Sequence, residues 1–239
     1  WSRLVGSEMC IRDSSNYLSA GVQAGFAQRS INYANLTFGS QYDGTDYDPN
    51  QGSGENIGAD NFTFLDVSAG LFWFFMPDER MSVYSGLAFH HVNQPDQSFF
   101  NDRKENLFMK TTYNLGVQFP IATKADLNPG FLMHWQGPFK EFVVGSNVKF
   151  LLGNKLHNHN TFSIGVWQRI MGDVDKAIAT DATIITTRFD FVGFSFGVSY
   201  DINVSSLTDA SGGNGGPEIS LVYTTQYSKK IKTIDCPRF

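Results

Sequence analysis

Charge is scarce in this chain. Of its 239 residues only 17% are Asp, Glu, Lys or Arg, below the roughly 25% of an average soluble domain. No apolar run reaches the about 18 residues of a membrane-spanning helix, and no stretch has the periodicity of an amphipathic helix. A helical membrane protein is thereby excluded. The formal net charge of −5 leaves no basic face for nucleic acid. Aromatics, by contrast, are abundant, with 22 Phe. Little charge, many aromatics and no spanning helix fit a β-barrel, whose faces alternate polar and apolar. A soluble all-β domain is the other class open at this level.

Cysteine is almost missing too: Cys10 and Cys236 are the two present. The first lies in RLVGSEMCIRDS (3–14), a segment that is similar to a translated sequencing adapter. No apolar stretch follows it, so it does not read as a secretory signal. Residues 1–14 are therefore expected to be non-native, with native sequence beginning near Ser15 and a signal peptide and early strands lost. Cys236 then has no partner in the chain, and cysteine carries no information on redox compartment.

The dominant period is two. In MKTTYNLGVQF (109–119), Met109, Thr111, Tyr113, Leu115, Val117 and Phe119 share one face, and Lys110, Thr112, Asn114, Gly116 and Gln118 the other. FSFGVSYDIN (194–203) repeats the pattern, with Phe194, Phe196, Val198, Tyr200 and Ile202 opposite Ser195, Gly197, Ser199, Asp201 and Asn203. Such alternation predicts strands with one apolar face. The small polar residues of the second face suit a hydrated lumen better than a sandwich core. Ten segments read this way: 16–28, 62–75, 81–92, 108–119, 125–136, 141–152, 161–171, 182–192, 193–203 and 218–227. Most are near the about 9–11 residues a tilted strand needs to cross a bilayer.

Connection lengths point the same way. They are long at 29–61, 93–107 and 204–217 and short at MPDER, PIATK and Val192-Gly193. Long external loops alternating with short periplasmic turns mark outer-membrane barrels. GPFK (137–140) is short where a long loop is due, and 153–160 exceeds a tight turn. Aromatics gather near segment ends, at Trp73, Phe74, Phe75, Phe89, Trp135, Tyr223 and Tyr227, as interface girdles do. The expected fold is an all-β, transmembrane, antiparallel up-and-down β-barrel over 15–227, with a short basic periplasmic tail at 228–239.

Several stretches carry a family resemblance: AGVQAGFAQRSINYANLTFGSQYD (20–43), FLDVSAGLFW (64–73), LAFHHVNQPDQSF (87–99), GFSFGVSYDINVSSL (193–207), GGPEISLVY (215–223) and the terminal CPRF. Their order and spacing resemble the PorP/SprF outer-membrane proteins of the type IX secretion system in Bacteroidota. That resemblance implies a barrel of about 14 strands, of which about ten are readable here. It also implies a role in type IX secretion, and in gliding motility, through the secretion machinery or the C-terminal region of a large secreted adhesin. It implies a place in outer-membrane lipid, no enzymatic activity and no cofactor.

The motifs themselves hold little chemistry. In FHHVNQP (89–95), His90 and His91 would point to opposite faces of a strand and so cannot share a metal. His91 is expected on the apolar-facing row with Phe89, and His90 in the lumen with Gly86 and Ala88. His90, His91, Asn93, Gln94 and Pro95 then mark where the strand leaves the bilayer, Pro ending the ladder. Asp46, Asp48 and Asn50 have the opening spacing of a calcium loop, but Gly52 falls at position seven and Ile57 at position twelve, which breaks that pattern. His157 and His159 lack a third ligand. Lys110, Asp126 and Lys149 are the charged residues expected in the lumen, a sparse set for a selectivity filter. No nucleophile elbow such as G-x-S-x-G is present. A passive channel for small or hydrophobic solutes is the competing functional class, and a lipid-acting barrel enzyme the third.

Overall fold

The structure is a computed structural model. It describes residues 2–12, 15–54, 60–100, 104–153, 160–173, 176–191, 193–206, 208 and 212–224. Eleven strands form one sheet in chain order, every neighbouring pair antiparallel. They are β1 (Ser2–Arg12), β2 (Asn16–Ser30), β3 (Asn61–Asp78), β4 (Met81–His90), β5 (Lys110–Ala122) and β6 (Ala125–Gln136). Then follow β7 (Phe139–Leu152), β8 (Asn160–Asp173), β9 (Lys176–Phe191), β10 (Phe194–Asn203) and β11 (Pro217–Tyr223). This is the sheet of an up-and-down transmembrane β-barrel. Among the described residues no pairing joins β1 to β11.

Each of the ten expected segments falls on a strand, with ends shifted by a few residues, while 192 and 225–227 of the expected segments lie outside the described residues. The eleventh is β1, inside the segment 1–14 expected to be non-native. It pairs with β2 from Ser2 opposite Phe26 to Arg12 opposite Tyr17, with a bulge between Val5 and Glu8. The physical reason is simple. The outer edge of β2 is a row of unpaired amides and carbonyls, and an adjacent extended segment satisfies them whatever its side chains. The tail 228–239 lies outside the described residues.

Connections follow strand direction. At one end, hereafter the turn end, Glu79-Arg80 and Thr123-Lys124 close hairpins of two residues, and Phe191 of β9 pairs with Phe194 of β10. At the other, the loop end, β2–β3, β4–β5 and β10–β11 are joined by the long segments 31–60, 91–109 and 204–216. Two connections are short there: the Gly137-Pro138 turn closes Gln136 on Phe139, and β8 passes to β9 with Asp173 paired to Lys176. Gly137 adopts φ 56°, the left-handed geometry that tight hairpins need and that other residues resist.

Apolar side chains point outward. Among the described residues only Ala27, Phe64 and Ala182 are buried hydrophobics. Val22, Phe26, Leu71, Val166, Ile185, Phe196 and Ile219 stand exposed on the outer face, Val166 at 56% and Ile219 at 74%. A water-soluble protein rarely exposes so large an apolar surface. Hydrocarbon around the sheet removes the contradiction. The inner face is polar and close-fitted. A methyl added at Gly145 would lie 2.4 Å from the Val166 carbonyl and 2.6 Å from Trp167 Cα, and one at Gly165 would lie 2.7 Å from the Ser146 carbonyl. Backbone cannot yield there, so glycine is the residue that fits.

The alternation makes a prediction with an internal control. Val22 and Gln23 are adjacent on β2; Val22 is 52% exposed on the apolar face, and Gln23 lies on the polar face opposite Ser68. Val22→Lys should destabilise the folded protein by about 2–4 kcal/mol in a bilayer, and Gln23→Lys by less than about 1 kcal/mol. Urea unfolding in lipid vesicles reads both; equal costs would reverse the assignment of faces.

Candidate functional site

Two regions gather chemistry-bearing residues: the loop end, organised by FHHVNQP, and the polar inner face. β4 ends at His90, which pairs with Lys110 on the inner face. His91 does not continue the outward row with Phe89, as alternation would require. It adopts φ 57°, and its Nδ1 lies 2.8 Å from Oδ1 of Asp66 on β3. The alternation rule holds only for extended backbone. A left-handed residue turns its side chain back over the same face, so both histidines end on the polar side, ring centroids 6.5 Å apart.

Asn93 explains why the chain can leave the sheet there. β3 is longer than β4, and its upper backbone lacks a partner strand. The Asn93 side chain takes that place: its Nδ2 donates to Leu65 O at 2.6 Å and its Oδ1 accepts from Val67 N at 3.1 Å. Val92 N adds a bond to Val67 O at 2.9 Å. Gln94 sits in a turn at φ 43°, its N–H donating to His91 O. Pro95 is buried. Its carbonyl accepts from Leu107 N, and Gln97 N donates to Glu105 O, so both limbs of the loop are zipped together. Asp96 accepts backbone N–H bonds from Ser98 and Glu105 at 3.0 Å each. Those donors stabilise the carboxylate and hold its pKa below the usual 3.8.

This loop is tied to the other long one by aromatic packing. Phe99 meets Phe62 of β3 edge-on at 4.7 Å and Tyr33 of segment 31–60 at 6.4 Å. Arg29 lies over Phe64 at 5.9 Å. Residues 38–51 are gathered around Gln41, 8% exposed, whose Oε1 accepts from Phe38 N and whose Nε2 donates to Gln51 O. Tyr42, Tyr47 and Leu36 remain exposed on its surface.

The calcium-like spacing is used for turns. Asp43 Oδ1 accepts from Thr45 N and Asp46 N at 2.8 Å, which lowers its pKa from 3.8. Asp46 Oδ1 accepts from Tyr47 N, and Asp48 Oδ1 from Asn50 N. Asn50 turns its Nδ2 donor, not its oxygen, toward Asp48. Among the described residues no group of three or more His, Cys, Asp or Glu is placed to hold a metal. His157 and His159 lie outside the described residues.

On the inner face, Asp126 is 1% exposed and thus not an open lumenal charge. Arg80, from the β3–β4 turn, crosses to it with Nε at 2.9 Å and with Nη2. The same guanidinium donates to the carbonyls of Thr123 at 3.0 Å and Ala122 at 2.8 Å. One arginine thus binds two neighbouring turns. Toward the loop end Arg169 bridges Asp181 at 2.7 Å and Asp201 at 2.8 Å. Arg188 pairs with Asp190 at 2.7 Å, and Asp190 also accepts from Thr161 at 2.7 Å. Lys149 lines a cavity of about 530 Å3 bounded by residues from β5 to β11. Lys110 stands beside His90 at the loop end of the same face. Sequence reasoning missed Arg80 and Arg169, because their partners are on other strands and register alone decides which residues meet; Arg188 was missed although Asp190 lies two residues along the same strand. The one signal available was that Asp126, Asp190 and Asp201 have the parity of the polar face; Asp181 lies at a register shift in β9 and lacks it.

A family model for the type IX secretion system membrane protein PorP/SprF matches residues 8–223. That span covers nearly the whole sheet. The chain belongs to the PorP/SprF family. No curated protein matches it. As a PorP/SprF protein it takes part in type IX secretion as a membrane component, and PorP/SprF is a secretion-system family, not an enzyme family. The FHHVNQP stretch of this PorP/SprF chain is thus a structural junction that anchors an ordered loop to β3.

Two substitutions test this geometry. Arg80→Ala strands a buried carboxylate and should cost about 3–5 kcal/mol; Asp126→Asn added to it should recover most of the loss, read by urea unfolding in vesicles. Asn93→Ala should cost about 1 kcal/mol and speed amide exchange at Val67 while β6–β9 amides stay protected. Unchanged exchange at Val67 would mean that the side chain does not cap β3.

Proposed function

We propose that this chain is an outer-membrane barrel that supports type IX secretion by presenting its loop end to protein, either a secreted adhesin's C-terminal region or another component of the machinery. A role in gliding motility follows where that adhesin is a motility adhesin. The observation that carries the reading is the family match over residues 8–223. The loop end adds support: segments 31–60 and 91–109 are packed on each other through Tyr33, Phe62 and Phe99, and Tyr42 and Tyr47 stand exposed above them. Loops held to each other by such contacts, with exposed tyrosines, suit protein recognition. The strands anchor this surface in lipid, and no bond is made or broken.

The polar cavity favours a second reading, a channel for small solutes. Its weakness is electrostatic. Most inner-face charges are neutralised in pairs, Arg80 with Asp126, Arg169 with Asp181 and Asp201, and Arg188 with Asp190, which leaves little field to select ions. For lipid chemistry, Thr112 Oγ1 lies 3.1 Å from His134 Nδ1. The surrounding strand amides are used in the ladder, so no pair of free N–H donors faces that hydroxyl as an oxyanion site would need.

Deletion of the complete gene, followed by proteomics of the cell surface and culture fluid, tests the proposal. Loss of one or a few large adhesins with other cargo intact is expected. Loss of all type IX cargo would make the protein a core component. Unchanged export with reduced solute uptake would replace the secretion reading with the channel.

A further inference from the structure

We propose that the inner-face cavity is a binding site for a neutral sugar ring, with Trp167 as its stacking platform. This inference does not depend on which protein the loop end engages.

The platform is built into the sheet. Gly130 and Gly145 pair across β6 and β7, and Gly145 pairs with Trp167 on β8. A methyl added at Gly130 would sit 2.8 Å from Trp167 Cη2, and one at Gly145 2.7 Å from Cδ2. The indole thus lies across two glycines, one side against bare backbone, and Trp167 borders the cavity on the other. Its edge is held as well: Nε1 donates to Asn147 Oδ1 at 3.3 Å, and Thr186 Oγ1 donates to the same oxygen at 2.8 Å. A flat, fixed aromatic surface of this kind offers an apolar plane without ring motion to freeze.

Planar polar groups surround it. Asn128, Asn147 and Gln118 contribute amides and Ser163, Thr186 and Ser199 hydroxyls to the cavity wall. The buried Asn128 Oδ1 has no hydrogen-bond partner. The charged residues of the wall, Lys149, Arg188, Asp190 and Glu218, are two of each sign. The volume of about 530 Å3 falls within the roughly 300–1,000 Å3 of small-molecule sites.

Stacking plane, amides, hydroxyls and balanced charge together match a ring with one apolar face and a rim of hydroxyls. An extended peptide fits less well. β6 to β10, which form most of the wall, are paired on both sides, so strand addition is closed to a peptide there.

The test is isothermal titration of the full-length protein in nanodiscs with neutral hexasaccharides of glucose, mannose and N-acetylglucosamine. A second arm uses lipopolysaccharide from the host envelope, intact and after mild-acid removal of its lipid. At least one lipid-free glycan should bind saturably. Binding to the hexasaccharides alone assigns a free sugar, and binding to the delipidated polysaccharide a surface-linked one. Trp167→Ala should weaken binding about tenfold or more and Trp167→Phe by much less, because stacking survives. The outward Trp73→Phe should change nothing. Ser199→Trp, which fills the cavity from β10, two strands from the platform on β8, should abolish binding while heat-modifiable migration in gels reports an intact barrel. Several results would overturn the proposal: no binding by any glycan, binding of intact lipopolysaccharide that vanishes with its lipid, or binding indifferent to Trp167→Ala and Ser199→Trp. Equal binding of an unglycosylated peptide would do the same.

Discussion

Everything in this protein depends on the backbone ladder. In hydrocarbon an amide or carbonyl without a partner costs several kcal/mol, and no water is there to supply one. A chain with no long apolar helix can meet that demand only by pairing each strand with its neighbours. Here β2 through β10 are paired on both sides in strict chain order. Even where β4 stops short of β3, the demand persists, and the Asn93 side chain serves as a substitute backbone for Leu65 and Val67. The positive φ of His91 and Gln94 is strain accepted to bring that amide into place.

Once the ladder is set, the two faces diverge. The outer face needs only apolar side chains, because lipid fills any irregularity. The inner face must be fitted. Trp167 covers Gly145 and Gly130, and Asn147 occupies the space above Gly165, so large residues on one strand are matched to glycines on the next. Charges on this face are held by cross-strand partners. Arg80 alone joins two turns, and Arg169 spans three strands through Asp181 and Asp201. The loop end continues this fitting, with Phe99 wedged against Phe62 and Tyr33. Membership in the PorP/SprF family places this architecture in type IX secretion.

Period-two alternation, connection length and the family stretches were legible without coordinates, because each is a local property of neighbouring residues. The face assignments of Gly86, Ala88, His90, Lys110 and Lys149 could be read from parity alone. His91 could not. One left-handed dihedral reverses parity, and nothing in FHHVNQP announces it beyond the turn residues that follow. Asp126 was legible as an inward residue but not as a buried one, since the arginine that covers it is 46 residues away. The acidic run at 43–50 read as a partial ligand set, and only coordinates showed that Oδ1 of Asp43, Asp46 and Asp48 accepts from nearby turn amides.

By itself, then, the sequence determined that the chain pairs as alternating strands with one lipid-compatible face, since side-chain parity along an extended backbone is a covalent property. Only the tertiary structure decided which inner residues meet. Register brings Trp167 over two glycines, Arg80 onto Asp126 and Asn93 onto the end of β3. Register is set by the summed fit of whole strands, a quantity that no single segment contains.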